Sequence, residues 1–116
     1  MSLQVLHVAR AFSAQPTLGE CLDDAIIIER PLEDALRSEL SPDLIWISSA
    51  AAGDVDAVRR RFPSARILAT PPRRTTSEDV VQLIAGGADL VLQDEGVMLA
   101  AAGLAALSRR LLAAAC

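Results

Sequence analysis

Tyrosine is absent from this 116-residue chain, and Phe12, Trp46 and Phe62 are its only aromatic residues besides a single histidine. A core without large rings must be built from Val, Ile, Leu and Ala, and the apolar fraction of 52% excludes bulk disorder. Cysteine is scarce as well. Cys21 and Cys116 stand far apart with neither metal nor redox spacing, which fits free thiols in a reducing compartment. Positive charge is in deficit: the formal charge is −4 and the sequence pI about 4.8, which argues against direct nucleic-acid binding by this domain. The short runs Arg59–Arg60–Arg61, Arg73–Arg74 and Arg109–Arg110 read as solvated faces. No apolar run is long enough for a bilayer; the most lipid-like, Gly96 to Ser108, stops at a pair of arginines. The first apolar run is broken by His7 and Arg10, unlike a secretory leader. After it comes Ala9–Arg10–Ala11–Phe12–Ser13, which lacks the glycines of a phosphate-binding loop. These absences predict a soluble cytoplasmic domain with no membrane contact.

What is present is a regular alternation. All six prolines, at positions 16, 31, 42, 63, 71 and 72, separate apolar segments, because proline lacks a backbone donor and sits poorly inside helices and central strands. Between them five strands are predicted, at Leu3–Val8, Ala25–Ile28, Leu44–Ser48, Arg66–Thr70 and Leu90–Leu92. The uninterrupted runs Ile26–Ile27–Ile28 and Leu44–Ile45–Trp46–Ile47 suit parallel strands covered on both faces.

Helical periodicity fills the gaps. Leu32, Leu36 and Leu40 share a face after Pro31, and Val55, Val58 and Phe62 form the next stripe. Thr75 and Glu78 have capping-box spacing for a helix that runs through Ala85, buries Val80, Leu83 and Ile84, and ends at Gly86–Gly87. A long helix runs from Val97 to about Ala114, with Leu104, Leu107 and Leu111 on one stripe. A crossover helix is expected near Thr17–Leu22. The pattern is an α/β three-layer sandwich occupying residues 1–116 as one domain.

Three segments resemble the response-regulator receiver family of two-component signalling. Ser41–Pro42–Asp43–Leu44–Ile45–Trp46–Ile47–Ser48 looks like its "PDLVLLD" third strand. Pro63–Ser64–Ala65–Arg66–Ile67–Leu68–Ala69–Thr70 looks like its fourth strand, which ends in Thr or Ser. Gly87–Ala88–Asp89–Leu90–Val91–Leu92–Gln93–Asp94 looks like its "GADGYLLKD" fifth strand, one residue shorter. The resemblance implies the flavodoxin-like fold, a five-stranded parallel sheet of order 2-1-3-4-5.

The family's chemistry moves a phosphoryl group onto an aspartate at the end of the third strand. A carboxylate is ionised at neutral pH and needs no base; Mg²⁺, held by carboxylates, neutralises the transferring oxygens. Here the phosphoacceptor position is Ser48, a hydroxyl that would need a general base. The acidic metal-binding pair falls at Ala9 and Arg10. An arginine about 5 Å from a divalent ion is repelled by several kcal/mol at an effective dielectric near ~20, which empties a weak site. Gln93 stands where a lysine is expected. Thr70 alone keeps the family's residue type. His7 reads as a hydrogen-bonded strand histidine with no third group for a triad, and Asp54 and Asp56 as helix-dipole partners.

These substitutions imply a pseudo-receiver: no enzyme, no metal, no cofactor, with Arg10 expected to fill the vacated pocket. Such a domain would be the N-terminal part of a longer protein. It would act through protein partners, as a homodimer through the last helix and fifth strand or on an attached effector such as a DNA-binding domain. The alternative is a phosphoaccepting receiver with a noncanonical site.

Overall fold

The computed structural model describes residues 3–8, 22, 25–72, 75–93 and 96–115. Five parallel strands form one sheet: β1 (Leu3–Val8), β2 (Ala25–Arg30), β3 (Leu44–Ser48), β4 (Arg66–Thr70) and β5 (Leu90–Val91), in the order β2-β1-β3-β4-β5. Four helices are described: α1 (Leu32–Arg37), α2 (Ala52–Arg61), α3 (Ser77–Ala85) and α4 (Val97–Ala115). The expected crossover helix at Thr17–Leu22 lies, apart from Leu22, outside the described residues.

Alternation along the strands divides the core. Leu6, Val8, Ile45, Ile47, Ile67 and Ala69 face one way, against Ala35 of α1, Val55 and Val58 of α2 and Leu83 of α3. Val5, Ile27, Leu44, Trp46 and Leu68 face the other, against Ala100, Ala101, Leu104 and Leu107 of α4. Every residue of β3 is buried, as its unbroken apolar run requires of a strand covered on both sides. Each fully buried Leu or Ile adds about 1.5–3 kcal/mol by leaving water. Gly103 brings α4 close to the sheet: a Cβ there would stand 3.0 Å from the Leu92 side chain and 3.3 Å from those of Leu68 and Leu90.

Several boundaries differ from expectation. β2 runs on to Arg30, two residues past the apolar run, because β1 extends to Val8 and supplies paired positions for both: His7 opposite Glu29, Val8 opposite Arg30. α1 stops at Arg37. The Ser38 hydroxyl bonds the Ala35 carbonyl at 2.8 Å and Arg61 takes the carbonyls of Leu36 and Ser38, so Leu40 reaches the core from a loop.

The cap of α3 is Thr76, one residue later than expected. Its hydroxyl accepts from Asp79 N at 3.2 Å, and Asp79 Oδ2 accepts from Thr76 N at 3.1 Å. Of the three side chains expected beneath this helix, Leu83 is buried, Val80 is half-buried and Ile84 is exposed, and Leu83 alone joins the core cluster on that face of the sheet. Gly86 caps it in a right-handed conformation; Gly87, at φ 120°, makes the turn. β5 ends at Val91, although the Leu92 amide still bonds Ala69 O at 3.1 Å.

Candidate functional site at the C-terminal sheet edge

Among the described residues, three polar side chains are buried, His7, Ser48 and Thr70, and each lies at or one residue short of its strand's C-terminal end. Strand alternation puts all three on the α4 side of the sheet, with Trp46 and with Glu29 of the edge strand β2. Ser48 and Thr70 are register partners on β3 and β4; His7 is opposite Glu29 on one side and Trp46 on the other. Parallel pairing thus assembles the cluster from positions far apart in the chain.

The side chains form two connected chains of contacts. Glu29 Oε2 lies 2.6 Å from His7 Nδ1, and His7 Nε2 lies 3.1 Å from Ser48 Oγ. Ser48 Oγ is also 3.2 Å from the Val8 carbonyl oxygen. The imidazole stacks on the Trp46 indole, ring centroids 4.1 Å apart, and Trp46 Nε1 donates to Thr70 Oγ1 at 2.9 Å. Burial pushes the His7 pKa below its ordinary value, because an imidazolium loses its hydration there; the hydrogen bond and negative charge of Glu29 act in the opposite direction without overcoming burial.

No third group for a triad with His7 and Ser48 is expected from the sequence, and the structure corrects this: Glu29 holds the far nitrogen of the ring. Its signal was parity. Glu29 is two residues beyond Ile27 and so shares its face, but a charged residue after an apolar run reads as the strand's end. Trp46, read only as core, is the ring's stacking partner.

The remaining sequence candidates are spread more widely. Ala9 and Arg10 lie outside the described residues, as does any contact of Arg10 with the pocket. Gln93 is exposed beyond β5. Asp54 accepts from the Ala51 amide at 3.1 Å in the first turn of α2, and Asp56 pairs with Arg60 at 3.2 Å. The following loop is tied across the sheet edge: Ser49 has φ 51° and Ala50 N bonds Thr70 O at 3.1 Å. A neighbouring cleft of about 210 Å³, lined by Ala50, Ala51, Pro71, Thr75, Gln82 and Leu83, borders this loop.

A divalent cation is what this fold family implies at such an edge. The donors described here do not fit one. Ser48 supplies a neutral hydroxyl already engaged by His7 and Val8, and Glu29 is turned into the imidazole. Among the described residues, no three His, Cys, Asp or Glu side chains converge, and no helix is long and apolar enough to cross a membrane.

No protein-family model and no curated protein sequence matches the chain. Solved structures do. The signal receiver domain of a putative Luxo repressor protein from Vibrio parahaemolyticus superposes with a TM-score of 0.77 at 16% identity, over 95% of this chain and 92% of that one. An orphan response regulator of H. pylori gives 0.74 at 21% identity, over 91% and 96%. A response regulator protein from Burkholderia pseudomallei, solved with a phosphorylated aspartic acid, gives 0.71 at 18% identity, over 97% and 72%. With its strand order, its helices on both faces and these likenesses, the chain has the fold of the response-regulator receiver domains.

Proposed function

We propose that this chain is a pseudo-receiver, a signalling domain that does not take up phosphate by the aspartate and magnesium route. One observation carries the reading. The end of β3, where the resemblance puts the phosphoacceptor, presents Ser48, a hydroxyl 1% exposed and bonded to His7 and to the Val8 carbonyl. A neutral, buried and hydrogen-bonded oxygen is a poor nucleophile toward phosphorus, and Ala9, Arg10 and Gln93 stand at the positions matching the carboxylates and lysine that would assist it.

The domain then works in the cytoplasm through protein contacts that govern an effector. The outer surface of α3 supports this, exposing Val81 at 63% and Ile84 at 55%, as does Leu99 of α4 at 44%. A second copy of the chain is one such partner. Incubation with acetyl phosphate, and separately beryllofluoride, in the presence of Mg²⁺ tests the reading by mass and amide spectrum. Both are expected unchanged.

A second reading has a specific observation in its favour. His7 backed by Glu29 is the arrangement that activates a serine hydroxyl, so Ser48 itself could accept a phosphoryl group. An acid-stable phosphoserine at position 48 in the same incubation selects it over the first.

A further inference from the structure

The proton count at Ser48 has two solutions. A serine hydroxyl carries one hydrogen, yet Ser48 Oγ lies 3.1 Å from His7 Nε2 and 3.2 Å from the Val8 carbonyl oxygen. With the Glu29 carboxylate 2.6 Å away, Nδ1 carries a proton in either state of the ring. When the imidazole is neutral, Nε2 is a bare lone pair, and Ser48 must turn its O–H toward it and away from Val8. When Nε2 gains a proton from solvent, it donates into Ser48 Oγ. The hydroxyl keeps its own proton and swings it to the Val8 carbonyl. A single proton therefore reverses the direction of hydrogen bonding at the β3 terminus, with no bond to carbon or phosphorus made or broken.

We propose that the Ser48–His7–Glu29 chain is a proton-operated switch, so that the input read at this sheet edge is a proton in place of a phosphoryl group. The inference rests on the pseudo-receiver reading. Catalysis is a poorer use of the same groups, because His7 is 0% and Ser48 1% exposed.

Among the described residues, the surroundings let the ring charge and transmit the result. From β2, Glu29, 15% exposed, faces the imidazole and can stabilise its cation. From β3 it meets Trp46 and Ser48, and from β4 Thr70 stands behind Trp46; none of these titrates in this range. The described side chains that α4 packs on this face are Ala100, Ala101, Leu104 and Leu107, also without charge. Burial favours the neutral ring, and the hydrogen bond and negative charge of Glu29 act the other way, in favour of the cation. The stack passes the change to Trp46, whose indole N–H holds Thr70, and the Thr70 carbonyl holds the amide of Ala50 in the loop before α2.

One histidine and one tryptophan in the chain make the test free of overlapping signals. Trp46 fluorescence and the Val8 carbonyl ¹³C resonance are followed from about pH 8 to about pH 5. The expected result is one shared midpoint for both, with the Ala50 and Thr70 amides moving alongside. Glu29→Gln should lower that midpoint by about one pH unit or more. Ser48→Ala should keep the Trp46 transition and abolish that of the Val8 carbonyl. Wild-type signals that stay flat until the protein unfolds overturn the switch, as does a Glu29→Gln midpoint equal to the wild type's. The two failures are distinguishable: a phosphoryl adduct removes the pseudo-receiver reading whatever the titrations do, while flat titrations without an adduct remove the switch alone.

Discussion

His7 lies flat against Trp46, the ring planes 12° from parallel and their centroids 4.1 Å apart. Both come from neighbouring strands in register, so the sheet itself fixes the stack. A neutral imidazole packs on an indole as a small aromatic ring; an imidazolium does so as a cation over a π face, and gains from it. The stack therefore tolerates both charge states, while the hydrogen bonds around it do not.

Stability should fall on mild acidification. Because the folded-state pKa of His7 lies below its unfolded value of 6.5, the unfolded chain binds the extra proton first. The loss begins as pH drops below about 6.5, proceeds at no more than about 1.4 kcal/mol per pH unit for one group, and levels off below the folded value. Urea unfolding of the wild type and of His7→Asn across this window checks it. The variant should be less stable at neutral pH and lack this component of the slope.

Trp46→Phe keeps a ring on His7 but deletes the donor to Thr70 Oγ1, which is fully buried. With the lost volume added, the expected destabilisation is about 2–4 kcal/mol. Trp46→Phe combined with Thr70→Val should recover part of it, since a paired removal leaves no polar atom stranded. Chemical denaturation of both proteins provides the comparison.

Gly87→Ala should cost about 2–3 kcal/mol in urea unfolding. Its φ of 120° is unfavourable for an L side chain, and a Cβ there would come within 2.8 Å of Arg59 Cγ. Arg59 is the hub of that corner. Its guanidinium donates to Gly87 O and Ala65 O and pairs with Asp89 Oδ2 at 2.8 Å, while the same carboxylate oxygen accepts from the Ile67 amide.

The two neighbouring threonines before α3 should behave differently. Thr76→Ala removes the helix cap and should cost about 1 kcal/mol, whereas Thr75→Ala, which loses only a hydroxyl contact to the Pro72 carbonyl, should cost less than half of that. Thermal unfolding of the pair decides which residue caps the helix.

The architecture was legible because it rests on side-chain periodicity. Unbroken apolar runs such as Leu44 to Ile47, proline between elements and the i, i+3, i+7 stripe of α2 each report local conformation directly. Boundaries were less legible where a tertiary partner sets them. α1 is ended by Arg61 from another helix, and β2 is prolonged past Ile28 by the length of β1. The same cause hid the heart of the site. Glu29 meets His7 only through strand register, and no local rule reports which residue of one strand lies beside which of another. Ser48 and Thr70 were visible through the resemblance, yet what engages them, His7 and Trp46, is a property of the assembled sheet edge.

The imidazole ¹⁵N spectrum of the single histidine near pH 7.5 bears most directly on this account. With a carboxylate at one nitrogen and a serine hydroxyl at the other, His7 is predicted to be the neutral Nδ1–H tautomer, with a strongly hydrogen-bonded Nδ1 proton and an unprotonated Nε2. An Nε2–H tautomer, or a ring averaging between the two forms and titrating near the ordinary value of about 6.5, would contradict it.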